Sequence, residues 1–447
     1  MSLRPALAII ALTFLLTLSA SAQSGMTWEE LTPKLAPYFD EELVADVERM
    51  MPKGAKYRIW GWDVGDFTGD GYNDLAISVN ILGTRKKECL VHLFADIDGF
   101  LVNVADFPVP YVDLPLEVGV VIKDVTCYVV QKHRAEHWIM RGYRYWQGSV
   151  ILVDEFVSNT VEKFDHEGYR NYQTLRTRER YITQDGRPAF VTEYATIPVY
   201  ERGRQVFAGI VPDVRAGAIN DVREGSFWWK GASDASFNAR MVYDDQYLYL
   251  HVAVKDSDVV TGWCDTCPAD RMEVWFDVAT PKEVGGSRYI TSLKGSKLAV
   301  RSESDTGLYA FAVKIGDFMD IRPTVKVRTT DELDPVQDAA LEQIRVITAP
   351  RVDGYHVKVR VPFEVLGFSQ PPVEDDELVE MGATIMVFDV DNEFRPEETT
   401  VIATSAISPL DPSTYGAIRF IPEGRLYGET SNIFADAVFG VLRELGF

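Results

Sequence analysis

Two neighbouring stretches in the middle of the chain constrain its fold more than any others. Residues 247–255 alternate strictly: Leu248, Leu250, Val252 and Val254 fall on one side, Tyr247, Tyr249, His251 and Ala253 on the other. Successive side chains of a strand point to opposite faces, so a period of two with one continuous aliphatic side describes a strand laid over a core. A second strand-like run, 237–243, leads into it across Asp244, Asp245 and Gln246, which are turn formers. Residues 271–278, 308–315, 355–361, 383–390 and 415–421 carry the same enrichment in Val, Ile, Phe and Tyr. Many short strands with little helix between them predict a β-sandwich over 213–424.

Strand signals also run through 74–82, 88–95, 118–131 and 137–156, predicting a smaller β domain over 56–157. Residues 158–212 are more charged and read either as a continuation of that domain or as a connector. Ahead of both, 23–55 predicts short helices. Thr27 and Glu30 have the spacing of a capping box, and a second helix around 40–51 stops before Pro52 and Gly54. The last segment, 425–447, predicts an amphipathic helix with Phe434, Val438, Leu442 and Leu445 on one face. The fold class is mainly β: a jelly-roll-like sandwich preceded by a smaller β domain and short helices.

Residues 1–22 read as a signal peptide. Arg4 precedes an apolar run over 6–18, and Ala20-Ser21-Ala22 fits the small-residue cleavage pattern. Cleavage after Ala22 would deliver the chain to the periplasm, the cell surface or the medium. The apolar run is short for a bilayer crossing, and no later stretch is long and apolar enough for one. The chain has 45 basic and 67 acidic residues, a net charge of −22. That surface repels nucleic acid and anionic lipid and suits divalent cations. Four cysteines in an exported chain favour disulfides, and of three possible pairings Cys89–Cys127 with Cys264–Cys267 is the most economical. Cys264 and Cys267 have the spacing of half a zinc site, but no second pair accompanies them, so a loop staple is expected.

The sharpest local motif lies between residues 63 and 75. Asp66, Thr68, Asp70 and Asp74 occupy positions 1, 3, 5 and 9 of a loop, with Gly71 at position 6 for the sharp turn and the Tyr72 carbonyl as a further oxygen. A hard cation takes several oxygens in a tight shell, and alternate residues of a winding loop can supply them. No Glu stands at position 12, and a strand rather than a helix follows, which disfavours an EF-hand. The D-x-T-G-D-G-x-x-D-L form resembles the FG-GAP or VCBS type of calcium loop over about residues 60–80. That resemblance implies bound calcium in a loop joining strands of an extracellular protein.

Further along, Tyr243, Asp244, Asp245, Tyr249 and Asp256 come first, then Asp270, Glu273, Trp275 and Asp277. Gly354, Pro362 and Phe363 follow, then Gly382, Asp389 and Asp391, and finally Tyr415 and Gly416. In order and spacing these segments resemble the family 9 carbohydrate-binding modules over about 200 residues. The resemblance implies a β-sandwich, often with structural calcium, that grips sugars between aromatic side chains. A pyranose offers a face of C–H groups to an aromatic ring. The candidate ligand-binding residues are therefore Trp228, Trp229, Trp263 and Trp275, Trp263 sitting on the expected Cys264–Cys267 loop, where preorganisation would lower the cost of binding.

Catalytic patterns are weak. His133, Glu136 and His137 match HxxEH, whose chemistry needs both histidines on one helical face. Here strands flank the segment, which reads as a hairpin tip. No nucleophile elbow or P-loop is present, and 67 acidic residues single out no glycosidase pair. The sequence is read as an exported, calcium-stabilised carbohydrate-binding protein, accessory or surface-recognising, without a catalytic domain of its own. Its expected partner is a polysaccharide or cell-surface glycan. The alternatives are a structural or adhesion component of the envelope or matrix, and a hydrolase of polysaccharide or peptide.

Overall fold

The computed structural model describes residues 25–421 apart from 52–55, 83–87, 110–116, 133–137, 147–148, 162–163, 204–212, 263–266, 279–288, 292–297, 301–306, 331, 374–379 and 410. The expected signal peptide, the HxxEH segment, Trp263, Cys264 and the expected C-terminal helix lie outside the described residues. The chain divides into two compact units, one ending at Thr160 and the other beginning at Val161. Among the described residues no helix is long and apolar enough to cross a membrane.

The first unit opens with helices α1 (Trp28–Leu35) and α2 (Glu41–Met50). The capping box forms as the sequence predicts: the Glu30 N–H donates to Thr27 Oγ1 at 3.3 Å, and the Thr27 N–H donates to Glu30 Oε2 at 2.8 Å. Each bond satisfies a group the first helical turn would leave bare. Helices this short gain little alone, and their apolar stripes supply what is missing. Trp28, Leu31, Leu35, Val44 and Val47 pack with Ile59, Leu75, Ile77 and Val79 of an antiparallel sheet, β1 (Lys56–Gly65), β2 (Asp74–Leu82), β3 (Glu88–Ile97) and β4 (Phe100–Val109), paired in chain order. A second meander follows: β5 (Glu117–Lys123), β6 (Thr126–Lys132), β7 (Trp138–Trp146) and β8 (Ser149–Val161).

The second unit is a β-sandwich with an added ribbon. The ribbon is β9 (Phe164–Asn171), β10 (Arg176–Thr183) and the long β11 (Pro188–Glu201). Then come β12 (Val214–Ala216), β13 (Val222–Glu224), β14 (Ala235–Tyr243), β15 (Tyr247–Asp256) and β16 (Arg271–Asp277), and a two-stranded piece, β17 (Tyr289–Thr291) with β18 (Leu298–Val300). The remaining strands are β19 (Leu308–Lys314), β20 (Thr324–Thr329), β21 (Arg345–Arg351), β22 (Gly354–Pro362), β23 (Glu380–Val390), β24 (Thr399–Ala403) and β25 (Ala417–Phe420). A short helix, α3 (Pro335–Leu341), precedes β21.

One sheet runs β21-β22-β15-β14, and the other runs β20-β19-β16-β23 with β24 and β25 beside β23. The alternation over 247–255 is present in the strand. Leu248, Leu250, Val252 and Val254 are buried, and their neighbours Tyr247, Tyr249, His251 and Ala253 are only half-buried. Met272, Val274 and Phe276 of β16 and Ala383, Ile385 and Val387 of β23 supply the other half of the core. Phe420 is fully buried, its ring 5.8 Å from that of Tyr243 and 6.0 Å from that of Phe363. β11 belongs to both sheets: it pairs in parallel with β25 over residues 196–199 and with β14 over residues 199–201. Glycine fixes one tight point. Gly354 enters β22 at φ 139°, where an added Cβ would stand 2.3 Å from the Val254 carbonyl oxygen.

His166 of β9 is buried with its ring 4.7 Å from that of Tyr181, and burial pushes its pKa down to about 4. A histidine held neutral in the fold and free to protonate when unfolded stabilises the protein above about pH 6.5 and loses that contribution as pH falls towards 4. His166→Gln removes the titration. The stability difference between wild type and variant, followed by urea unfolding, is expected to shrink by about 3 kcal/mol from pH 7 to pH 4.

Candidate ligand and cation sites

Three buried carboxylates meet at one end of the sandwich. Asp256 closes β15, Asp270 immediately precedes β16, and Asp389 lies near the end of β23. One ligand oxygen from each lies within 4.8 Å of the others, and all three side chains are buried. The strand register makes the meeting. Arg271 pairs with Phe388, which brings the residues next to them, Asp270 and Asp389, side by side. Backbone fixes the orientation: the N–H groups of Val390 and Val260 donate to the two oxygens of Asp270 at 2.8 Å each, and the Asp258 N–H donates to Asp256 Oδ1 at 2.7 Å.

Among the described residues no donor reaches Asp256 Oδ2 or Asp389 Oδ1, and the buried Tyr355 hydroxyl beside them makes no hydrogen bond there either. Burial raises all three carboxyl pKa values, and the neighbouring carboxylates add to the effect, taking Asp389 to about 8. Buried like charges with orphaned oxygens are costly unless a cation or a proton neutralises them. The donors are all oxygen, the set a hard cation prefers. Close by, Lys230 donates to Asp391 at 2.8 Å and lies 3.5 Å from the buried Asp234.

The loop before Asp234 carries aromatics. Gly225, at φ 68°, packs against the Thr399 carbonyl, and the chain beyond it projects Phe227, 86% exposed, and Trp228, 37% exposed, with their rings edge-to-face at 5.0 Å. Phe394, 83% exposed, stands in the turn just beyond Asp391. Of the tryptophans singled out in the sequence, Trp228 is therefore exposed. Trp229 is half-buried and donates through Nε1 to the Ala235 carbonyl at 2.9 Å. Trp275 is half-buried on the outer face of β16, donating to Glu273 at 3.1 Å and packed with Met386, Val401 and Ala403. Phe227 and Phe394 carry no signal in the sequence, because a lone phenylalanine in a turn is not distinguished by spacing from one that packs in a core.

The aspartate loop of the first unit folds as a compact turn, with Gly69 and Gly71 at φ 84° and 92°. Asp66 accepts from the Gly69 and Gly71 N–H groups at 2.6 and 2.9 Å, and Asp70 accepts from that of Tyr72 at 2.9 Å. Asp74 is buried and clamps the loop. Its Oδ2 accepts from Phe67 and Thr68, its Oδ1 from Asp96, and burial raises its pKa to about 6.

One expectation is corrected. Cys89 and Cys127 are both free. Cys89 lies on β3 between β2 and β4, whereas Cys127 lies on β6 in the other sheet of that unit. Both thiols are buried, and burial raises both pKa values, that of Cys89 to about 12, with Asp63 and Asp74 adding to the rise at Cys127.

The second unit is thus a sandwich with a carboxylate cluster and an exposed aromatic loop at its end. The sequence profile of the family described as carbohydrate family 9 binding domain-like matches residues 213–309, which include Phe227, Trp228, Asp256 and Asp270. Solved structures similar to the chain include a carbohydrate binding module family 9 from Caldicellulosiruptor kristjanssonii in complex with cellotriose, 15% identical over 53% of this chain and 99% of that one, with a TM-score of 0.31. Another from the same organism, in complex with glucose, is 18% identical over 52% of this chain and 98% of that one, also at 0.31. No curated protein matches the sequence.

Proposed function

We propose that this chain is an exported carbohydrate-binding protein, accessory or surface-recognising, whose sandwich holds a sugar at its aromatic loop and calcium at the carboxylate cluster beneath it. The observation that carries the reading is the family 9 match over 213–309, on a unit that exposes Phe227 and Trp228. Rings that remain in water in the free protein are available to the C–H face of a pyranose, and the loop's anchorage at Gly225 lowers its ordering cost.

Asp256, Asp270 and Asp389 would hold calcium, which would neutralise the buried charge and tie β15, β16 and β23 together. The orphaned oxygens support this assignment. A second calcium is proposed at Asp66, Thr68, Asp70 and Asp74 with the Tyr72 carbonyl. The cluster is the better supported of the two, because Asp256 and Asp389 each keep an oxygen with no donor among the described residues, whereas Asp66 and Asp74 each spend both oxygens on backbone N–H groups. Export rests on the leader-like residues 1–22, and Cys264 with Cys267 is proposed as the loop staple.

Calorimetry against neutral glycans, cello-oligosaccharides first, tests the sugar site. With calcium present, Trp228→Ala and Phe227→Ala are each expected to weaken binding about tenfold or more, and Phe227→Ala, which removes a solvent-facing ring, is expected to leave the melting temperature unchanged. No binding across the panel would sink the reading.

A further inference from the structure

The outer face of the sheet β21-β22-β15-β14 carries a groove of about 500 Å³ that has no part in the aromatic loop or the carboxylate cluster. Strand register lays out its lining. One row across the sheet reads Arg240, His251, Lys358, Ile347, and the next reads Val242, Tyr249, Arg360, Arg345. Val242 and Ile347 supply the apolar part of its floor on this face, and Ile347 on the edge strand β21 is 64% exposed.

The cations are unevenly matched. Arg240 is neutralised by Asp213 at 2.7 Å. Arg202 lies 3.7 Å from Asp244, which also accepts from the Tyr249 hydroxyl. Lys358, Arg345 and Arg360 pair with no carboxylate among the described residues. Arg345 donates only to the Glu342 and Ile344 carbonyls, and Arg360 donates to the Gln343 carbonyl at 3.3 Å and lies over the Tyr247 ring. Carbonyls orient a guanidinium without cancelling its charge. In a chain of net charge −22, with acidic residues to spare, three uncompensated cations side by side on one sheet face mark a place for an anion.

The floor narrows the class of anion. Flat aliphatic surface suits the C–H faces of sugar rings. The Tyr247 and Tyr249 rings each carry a guanidinium, from Arg360 and Arg202, which competes with a nucleobase for the same ring. Arginine forks and a lysine match carboxylate or sulfate groups. We infer that this groove binds an acidic oligosaccharide, its sugar rings against Val242 and Ile347 and its carboxylate or sulfate groups on Arg345, Lys358 and Arg360. The inference rests on the carbohydrate-binding reading of the chain and adds a second site with a different ligand class.

The test is calorimetry on the full chain with calcium at low ionic strength, using a galacturonate hexamer, a sulfated oligosaccharide of like length, cellohexaose and a glutamate hexapeptide. An acidic sugar is expected to bind, with affinity falling as salt is added, and Lys358→Glu with Arg345→Glu is expected to weaken it at least tenfold. Which acidic sugar binds tells carboxylate from sulfate. Lys358→Gln, a milder change at an exposed position, gives a smaller loss in the same direction should the double variant fail to fold. Trp228→Ala leaves acidic binding intact. The inference is overturned if neither acidic sugar binds tighter than cellohexaose, if the glutamate peptide binds as well as the sugars, or if folded Lys358 variants bind like wild type. Neutral binding that survives such a result leaves the aromatic site standing. Acidic binding that responds to Lys358 without any neutral binding removes the aromatic site and keeps the groove.

Discussion

Stripping calcium at pH 8 is expected to lower the melting temperature of this protein, and Asp389→Asn is expected to abolish most of that response while making the stripped protein more stable than wild type. The opposite signs follow from one cause. Without a cation, Asp256, Asp270 and Asp389 are like charges buried together, and burial with mutual repulsion takes the Asp389 pKa to about 8. A carboxyl whose folded pKa exceeds its unfolded value stabilises the fold while protonated, fully below about pH 4, and that contribution is lost as pH rises towards 8. The stripped protein should therefore weaken from pH 5 to pH 8. Calcium bound there would need the ionised form, so it would restore stability where the loss is greatest. At a hundred times its dissociation constant a ligand adds about 2.7 kcal/mol, a rise of several degrees for a unit of this size. An amide in place of the Asp389 carboxylate would keep the shape without the charge, relieving the repulsion and removing a ligand. Differential scanning calorimetry with chelator and with added calcium reads both effects. An unchanged melting temperature on chelation at pH 8 would overturn the cluster assignment.

The largest single-residue effect is expected at Phe420. Phe420→Ala should cost about 3–5 kcal/mol, measured by urea unfolding, because its ring is wholly buried against Tyr243 and Phe363 and the surrounding strands cannot close the space. Phe227→Ala deletes an equally large ring and should stay within about 0.5 kcal/mol of wild type, since that ring is in water. A similar cost at the two positions would mean that Phe227 packs against something in solution and is not available to a sugar.

What the sequence disclosed depended on how locally each feature was encoded. The strand at 247–256 and the capping box at Thr27 are written in consecutive residues, and both formed as their patterns dictate. The ribbon strands were harder. In β10 the solvent side is Arg176, Arg178 and Arg180, and the buried side is Thr177 with Tyr181, so no aliphatic face advertises the period of two. The carboxylate cluster was hidden differently. Its members sit at 256, 270 and 389, each an ordinary acidic residue at a strand end, and only the pairing of β16 with β23 sets Asp270 beside Asp389. Three aspartates at strand ends within the resembling segments were the available signal. The Cys89–Cys127 expectation failed for the converse reason: economy in sequence separation says nothing about which sheet a strand joins.

β11 bears on how this protein can be divided. The family-profile match begins at residue 213, and an excised fragment starting there would look complete on paper. Such a fragment lacks the strand whose residues 196–201 are hydrogen-bonded to both β14 and β25. It would bare two runs of backbone N–H and C=O groups and the pocket vacated by Ile197 and Val199, both buried in the intact chain. Open edges of that kind invite pairing with another copy, so the short piece should self-associate where one starting before residue 188 stays monomeric. The cut that respects the physics lies upstream of the cut that the profile match suggests.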